Sequence, residues 1–344
     1  MYCMRKVVSS GQPTIKEIAK RLNISVSTVS RALHDHHSIG LRTKTRVKQL
    51  AAEMNYERNQ TAIYFQQGKT FTIGILLPEL SEAFFSSAIS GIEDTAYSNN
   101  YTVLLGQSHD DEDREKQIIQ SMKQHRVDGC IVSIGKNTSS YDHFEMLQQA
   151  RIPVVFFDRI PDLPNIHSVS CNLESGTVQA VDFLLKQGHR IIGMINGPET
   201  MVASKERATG YIKALRKHRL KYDPELIVNA DLTATGTAEA MQYLLSLKRK
   251  VTAVVTFNDY VAMDAVQYAL KQKLEINKDI TFVSYANTPV SGYTAFPPAA
   301  SVEQFPYEQG QAATNMLMSL LSGEQALNDY KHTIMESQLV IHHR

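Results

Sequence analysis

The sequence predicts an α/β protein in two parts: an all-helical helix-turn-helix domain at the N-terminus and a larger two-lobed domain built on parallel sheets. Three observations carry this expectation. From Thr14 to Tyr56 apolar residues recur at helical spacing, with no strand-like run. From Phe71 onward short β-rich runs alternate with amphipathic stretches, a pattern that needs a parallel sheet covered by helices on both faces. That alternation continues over about 270 residues, more than one sheet ordinarily carries, so two lobes are expected.

Composition narrows the function classes. The chain has 344 residues, 43% of them apolar, which is ample for packed cores. A net charge of +1 conceals an asymmetry: residues 1–70 hold 12 Lys+Arg against 4 Asp+Glu, and the rest holds 24 against 31. A basic head on an acidic body is the footprint of a polyanion-binding module, with chance clustering on a solvated face as the alternative. Cys3, Cys130 and Cys171 are scattered, with neither a disulfide framework nor zinc spacing. No apolar run is long enough for a signal peptide or a membrane span, so a cytoplasmic protein with no membrane partner is expected.

Along the chain, residues 1–13 are polar, contain Gly and Pro, and are expected to form a flexible arm. Residues 14–57 form the helix-turn-helix domain. Thr14 followed by Glu17 is a capping box for a first helix whose buried stripe is Ile15, Ile18, Ala19 and Leu22. Asn23 can take the left-handed conformation that ends a helix, and Ser25 can cap the second. The second helix turns Val29, Ala32 and Leu33 inward, which leaves Val26, Ser27, Ser30 and Arg31 facing outward. Small outward side chains let a helix enter the major groove, and Arg31 can pair bidentately with guanine. With Thr14, Ser25 and Thr28 these make the expected DNA-contacting set of this domain. A third helix, about Arg42 to Met54, supplies Val47, Leu50, Ala51 and Met54 to close the small core.

In the body, strands are expected near Phe71–Leu77, Tyr101–Gly106, Gly129–Ile134, Val154–Phe157, Ile191–Ile195, Val251–Phe257 and Ile280–Tyr285, most followed by a helix. Ligands of such sheets bind beyond the carboxyl ends of the strands, and paired lobes put that edge in a cleft.

The run Thr14–Leu33 closely resembles the start of lactose-repressor (LacI-type) regulators, which read T-I-x-D-V-A-x-x-A-G-V-S-x-x-T-V-S-R-x-L-N. It departs at Glu17, at Leu22-Asn23 and at His34, none of which destroys the geometry. The resemblance continues through Thr43–Val47 and Asn55-Tyr56 into residues 58–70, which it marks as a hinge. There it implies further DNA contacts from Asn59, Ala62 and Phe65, with Phe65 where the family has a leucine that wedges the minor groove. Arg58 stands in place of the usual proline. Residues 71–344 also resemble the family, and with it the periplasmic-binding-protein-like fold, in stretches such as Thr72–Pro78, Ile152–Arg159, Phe257–Asp259 and Gln304–Pro306.

By position, the resemblance implies an effector pocket formed by Phe84, Asp158, Arg207, Asn258 and Gln304. Two departures bear on it: Ala286 where an Asp is usual, and Cys171 where V-D-N is usual. Loss of a carboxylate at Ala286 removes an acceptor for sugar hydroxyls, so the effector, a sugar or sugar derivative by resemblance, is expected to differ from a plain monosaccharide. The implied protein is a homodimeric regulator, most often a repressor, on a pseudo-palindromic double-stranded operator, with no cofactor and no metal.

Other signals carry less. Gly68-Lys69-Thr70 looks like the end of a phosphate loop, but Ile63 stands where its leading glycine belongs. His34, Asp35, His36 and His37 read as a solvated turn, and His109–Asp113 as a loop and an acidic helix start. No catalytic motif is present, so no enzyme is expected. The rivals are a solute-binding protein, which would need an export signal and no basic head, and an α/β enzyme with an accessory DNA-binding domain, which would need a coherent catalytic constellation.

Overall fold

The computed structural model describes residues 13–56 and 68–342. The expected flexible arm therefore lies outside the described residues, save Pro13, as do Arg58 and the hinge positions Asn59, Ala62 and Phe65. The chain divides into two units, Met1–Lys69 and Thr70–Arg344.

The first unit contains α1 (Ile15–Leu22), α2 (Val26–Leu33) and α3 (Leu41–Glu53). The capping box forms in full: Glu17 N–H donates to Thr14 Oγ1, and Thr14 N–H donates to the Glu17 carboxylate at 2.7 Å. Asn23 closes α1 at φ 51°, in the left-handed region that asparagine tolerates. Ser25 caps α2 by accepting from Thr28 N–H at 3.1 Å. Ile18, Val29, Ala32 and Val47 are fully buried between the helices, with Ala19, Leu33 and Ala51 beside them. Ile24, Ile39 and Tyr56 also pack on this core, although they stand outside the helical stripes the sequence singles out. The turn after α2 is held by Lys48 Nζ, 2.7 Å from the Asp35 carboxylate.

The second unit starts with β1 (Thr72–Leu77), α4 (Ala83–Ser98), β2 (Thr102–Gln107), α5 (Glu112–Gln124), β3 (Gly129–Val132), α6 (Asp142–Gln149), β4 (Val154–Phe157) and β5 (His167–Asn172). The chain then enters a second lobe with α7 (Leu173–Lys186), β6 (Ile192–Asn196), α8 (Val202–Lys217), β7 (Ile227–Asn229), α9 (Ala234–Ser246), β8 (Ala253–Thr256), α10 (Asp259–Lys271), β9 (Thr281–Tyr285) and β10 (Ala300–Glu303). It returns to the first lobe as α11 (Pro306–Ser322) and β11 (His332–Glu336), and ends in the second as β12 (Gln338–Ile341).

Each lobe is thus a six-stranded sheet, ordered β11-β5-β4-β3-β1-β2 in the first and β12-β10-β9-β8-β6-β7 in the second. All pairings are parallel except β10 with β12, an antiparallel edge that the alternation pattern did not reveal. The central strands β3, β4 and β8 are buried throughout, as expected of apolar runs covered on both faces. The strands missing from the sequence reading (β5, β7, β10, β11 and β12) are either polar, as in His-Ser-Val-Ser-Cys-Asn, or short edges.

Three passages of chain join the lobes, and they are bonded to one another. Ser337 Oγ donates to Asn172 O at 2.9 Å, Asn172 Nδ2 donates to the Glu336 carboxylate at 2.9 Å, and Cys171 Sγ–H donates to Gln304 O at 2.9 Å. Cys171 therefore serves as a buried donor between crossovers. Cys130 is fully buried in the first lobe, and burial pushes each thiol up to about 12.

Candidate functional site

On the first unit, the exposed surface is the one the sequence singles out. Ser25, Val26, Ser27 and Arg31 are exposed, while Thr28 and Ser30 are half-buried. Val26 is 41% exposed on a helix whose other side is fully packed, so its methyls are presented rather than used in the core. Ser25 Oγ lies 2.8 Å from both Ser27 Oγ and Thr28 Oγ1, forming a hydroxyl cluster over the N-terminus of α2. Free N–H groups at a helix start and nearby hydroxyls suit a phosphate, and the side chains along the next turn suit base edges.

In the second unit the five expected pocket residues, which come from five separate stretches of chain, line one cavity between the lobes. Three of them sit in the connection that follows a strand, Phe84 in the first turn of the helix after one, and Arg207 within a helix. Phe84 opens α4 after β1, and its ring meets Phe85 edge-on at 5.4 Å. Asp158 follows β4 at φ 56°, a left-handed turn that re-aims the chain as the strand ends. Asn258 and Gln304 follow β8 and β10, and Arg207 comes from α8 across the cleft. Asn258 is also the N-cap of α10, its Oδ1 accepting from Val261 N–H at 2.9 Å, so its amide nitrogen is the part left for a ligand.

The electrostatics of this cavity are unusual. Arg207 is only 3% exposed, and its guanidinium carbon lies 3.9 Å from the Phe257 ring centre and 4.3 Å from that of Tyr285. Its Nε and Nη1 have no hydrogen-bond partner, although both are buried. Burial works against its charge, which Tyr285, Asp158 and Glu206 support. Burial also raises the Asp158 carboxyl to about 6, against the pull of Arg159 and Arg207, and it raises Glu82 in the same way. The cavity therefore offers an unsatisfied planar donor, a carboxyl that titrates near neutrality, and flat apolar rings.

Sequence reasoning missed several of the residues beside them: Glu82, Phe85, Arg159, Met201, Ala203 and Phe257. Arg159 and Phe257 are immediate neighbours of Asp158 and Asn258 in chain, and that adjacency was the available signal. Ala286 lines the cavity at φ 81°, so the position where a carboxylate was expected carries a methyl on a strained backbone. Next to it, fully buried Asp259 accepts from Thr288 Oγ1 and Ser301 Oγ at 2.9 Å each, which fixes the loop carrying Ala286. The cleft is bridged at its rim, where Lys136 Nζ of the first lobe donates to Asp231 O of the second at 2.8 Å. Among the described residues no cluster of ligating side chains could hold a metal, and no helix is long and apolar enough to cross a membrane.

Residues 70–338 match the family model described as "Periplasmic binding proteins and sugar binding domain of LacI family", and residues 14–59 match "Bacterial regulatory proteins, lacI family". The chain belongs to the LacI family. Among relatives, the HTH-type transcriptional repressor CytR of Escherichia coli K12 is 30% identical over 331 residues, covering 95% of each chain. The repressor PurR of Aliivibrio salmonicida is 28% identical over 305 residues, 89% of this chain and 91% of that one. The fold is that of the lac repressor dimer solved with operator and an anti-inducer, at a TM-score of 0.82 over 96% of this chain and 98% of that chain, with 22% identity. As a LacI-family member the chain carries both family modules in order: the helix-turn-helix whose cap and core are described above, and the two-lobed domain whose strand ends converge on Arg207.

Proposed function

We propose that this chain is a homodimeric transcriptional repressor whose grip on a pseudo-palindromic operator is set by a small molecule bound between the lobes. In this reading residues 14–57 read DNA, 58–70 form the hinge, and 71–344 bind the effector and dimerise. Thr14, Ser25, Val26, Ser27, Thr28, Ser30 and Arg31 contact the operator half-site, joined by Asn59, Ala62 and Phe65 of the hinge. Phe84, Asp158, Arg207, Asn258 and Gln304 hold the effector. The protein acts in the cytoplasm, where its operator is, and carries out no catalysis.

The observation that carries effector control is Arg207, a buried guanidinium with two N–H groups unsatisfied beside a cavity. Leaving such donors unpaired costs on the order of 1–3 kcal/mol, a cost that a ligand bearing oxygen acceptors removes. A carbohydrate derivative supplies such acceptors, and apolar ring faces such as that of Phe84 suit its C–H faces. The family description of the domain as sugar-binding supports the class. Ala286 makes the pocket poorer in acceptors than a typical sugar site, so the effector presents fewer hydroxyl donors on that side.

The test is selection of duplexes by the purified full-length protein from a randomised pool, followed by titration of sugars and phosphosugars against the selected duplex. Enrichment of an inverted repeat, and a shift in its binding by one ligand class, are expected; coupling of about 1–3 kcal/mol is the usual scale. A pool left unenriched overturns the regulator reading. A repeat that no ligand shifts overturns effector control alone.

A further inference from the structure

A second cavity, of about 220 Å³, lies in the first lobe at the amino ends of β4 and β5, the opposite end of those strands from Asp158 and the cleft. Its floor is aromatic: Phe144 and Phe156 meet edge-on, with centres 5.1 Å apart and planes at 87°. Leu327 and Tyr330, from the segment between α11 and β11, form a lid over it. That lid is bolted down by His167, which is 4% exposed. Its Nε2–H donates to Leu327 O at 3.2 Å, and its Nδ1 accepts from Lys331 N–H at 3.3 Å. Both ring nitrogens are thereby used, which fixes the neutral tautomer, and burial holds its pKa below the usual imidazole value. His167 is thus part of the frame and leaves the charge of the site to one group.

That group is Arg151. It sits just after α6 at φ 58°, is exposed at the mouth of the cavity, and has no ion pair or side-chain hydrogen bond among the described residues. No Asp or Glu lines the cavity. An apolar hole of about 150 Å³ stays dry and accepts a benzene ring, so one of this size takes a single substituted ring. Edge-on ring pairs extend readily to a third ring, and a free guanidinium at the mouth pairs bidentately with a carboxylate.

We propose that this cavity is a second small-molecule site, separate from the cleft, for a single-ring aromatic carboxylate. The ring occupies the space between Phe144 and the Leu327–Tyr330 lid, and the carboxylate lies at Arg151. The proposal does not depend on what the cleft binds.

The test uses the full-length protein with benzoate, and with benzyl alcohol as the neutral counterpart, followed by saturation-transfer NMR and calorimetry. The variants are Arg151→Gln and Leu327→Trp. Both alter exposed side chains, and circular dichroism checks that the fold is kept. Wild-type protein is expected to prefer benzoate by about tenfold. Arg151→Gln should erase that preference while the neutral ring still binds, and Leu327→Trp should block both ligands by filling the cavity. The site is overturned if wild-type protein binds neither ligand at millimolar concentration, or if both variants bind as wild type does. Equal affinity of wild-type protein for the two ligands overturns the carboxylate assignment.

Discussion

Arg207 is held in place by rings rather than by an anion, and that arrangement separates stability from binding. A guanidinium 3% exposed, with Nε and Nη1 unpaired, costs the ligand-free fold more than a methionine of similar length would. Arg207→Met should therefore raise or preserve Tm while lowering effector affinity by roughly 10- to 100-fold, the loss of one or two charge-assisted hydrogen bonds. A variant with lower Tm and unchanged affinity would mean the arginine is structural. Asp158 gives a prediction in pH. Its carboxyl rises from 3.8 to about 6 on folding, so the native state binds that proton more tightly than the unfolded chain does. The stabilising contribution is therefore complete below about pH 4 and lost as pH rises through about 6. Asp158→Asn should raise the Tm of the ligand-free protein at pH 7 and leave it unchanged near pH 4. Where the Asp158 carboxylate accepts a hydrogen bond from an effector hydroxyl, affinity should fall as pH drops through about 6 and become pH-independent in the variant; calorimetry across that range reads both. On the other unit, Arg31→Ala should cost about 1–3 kcal/mol of operator binding and relax preference at one base pair, measured by repeating the duplex selection.

At the level of elements, the helix pair α4–α11 stitches the late part of the chain onto the first lobe. The two helices cross at Gly91 and Gly310. A Cβ on Gly91 would meet Tyr307 O, and one on Gly310 would meet Ala88 O, backbone atoms that cannot swing aside. Gly310→Ala should therefore cost about 1–3 kcal/mol, seen as a lower urea midpoint of the two-lobed unit at unchanged slope. An unchanged midpoint would show that the crossing relaxes freely. This crossing was not legible in sequence, because a single glycine inside an amphipathic stretch does not reveal which partner it approaches. The same limit explains which strands were missed. Gly129–Val132 and Val154–Phe157 announce themselves because both faces are buried, whereas β11 pairs as an edge with His332, Thr333 and Ile334 exposed. The helix-turn-helix was almost wholly legible, since its caps and stripes are local chemistry: Thr14 with Glu17, Asn23, Ser25. The cleft residues were reachable only through resemblance by position, since four follow separate strand ends and Arg207 lies within α8, and only the topology brings them together.

For the whole molecule, the question is what holds the lobes together before an effector arrives. One direct bridge at the rim is Lys136, whose Nζ reaches Asp231 O at 2.8 Å while its own backbone N–H donates to Asp110 Oδ1 at 2.8 Å. Asp110 also pairs with Arg159 Nη1 at 2.9 Å, and Arg159 lines the cavity. The rim contact and the cavity wall therefore share one carboxylate, and opening the lobes must break the Lys136 bond to Asp231. Replacing Lys136 with Met keeps the aliphatic stem and removes the bridge, which destabilises the closed state by about 1 kcal/mol. An effector that binds the closed lobes must then supply that energy, so its apparent affinity should drop about fivefold. In an operator-binding titration the effector midpoint should move by that factor, while the plateau at saturating effector stays where it is, because saturation restores the closed lobes and the DNA-reading unit is untouched. Small-angle scattering of the ligand-free variant should show a larger radius of gyration that returns to the wild-type value when effector saturates. An unmoved midpoint with an unmoved radius would mean that the lobes are held by the three hydrogen-bonded crossovers alone and that the rim contact follows closure without driving it.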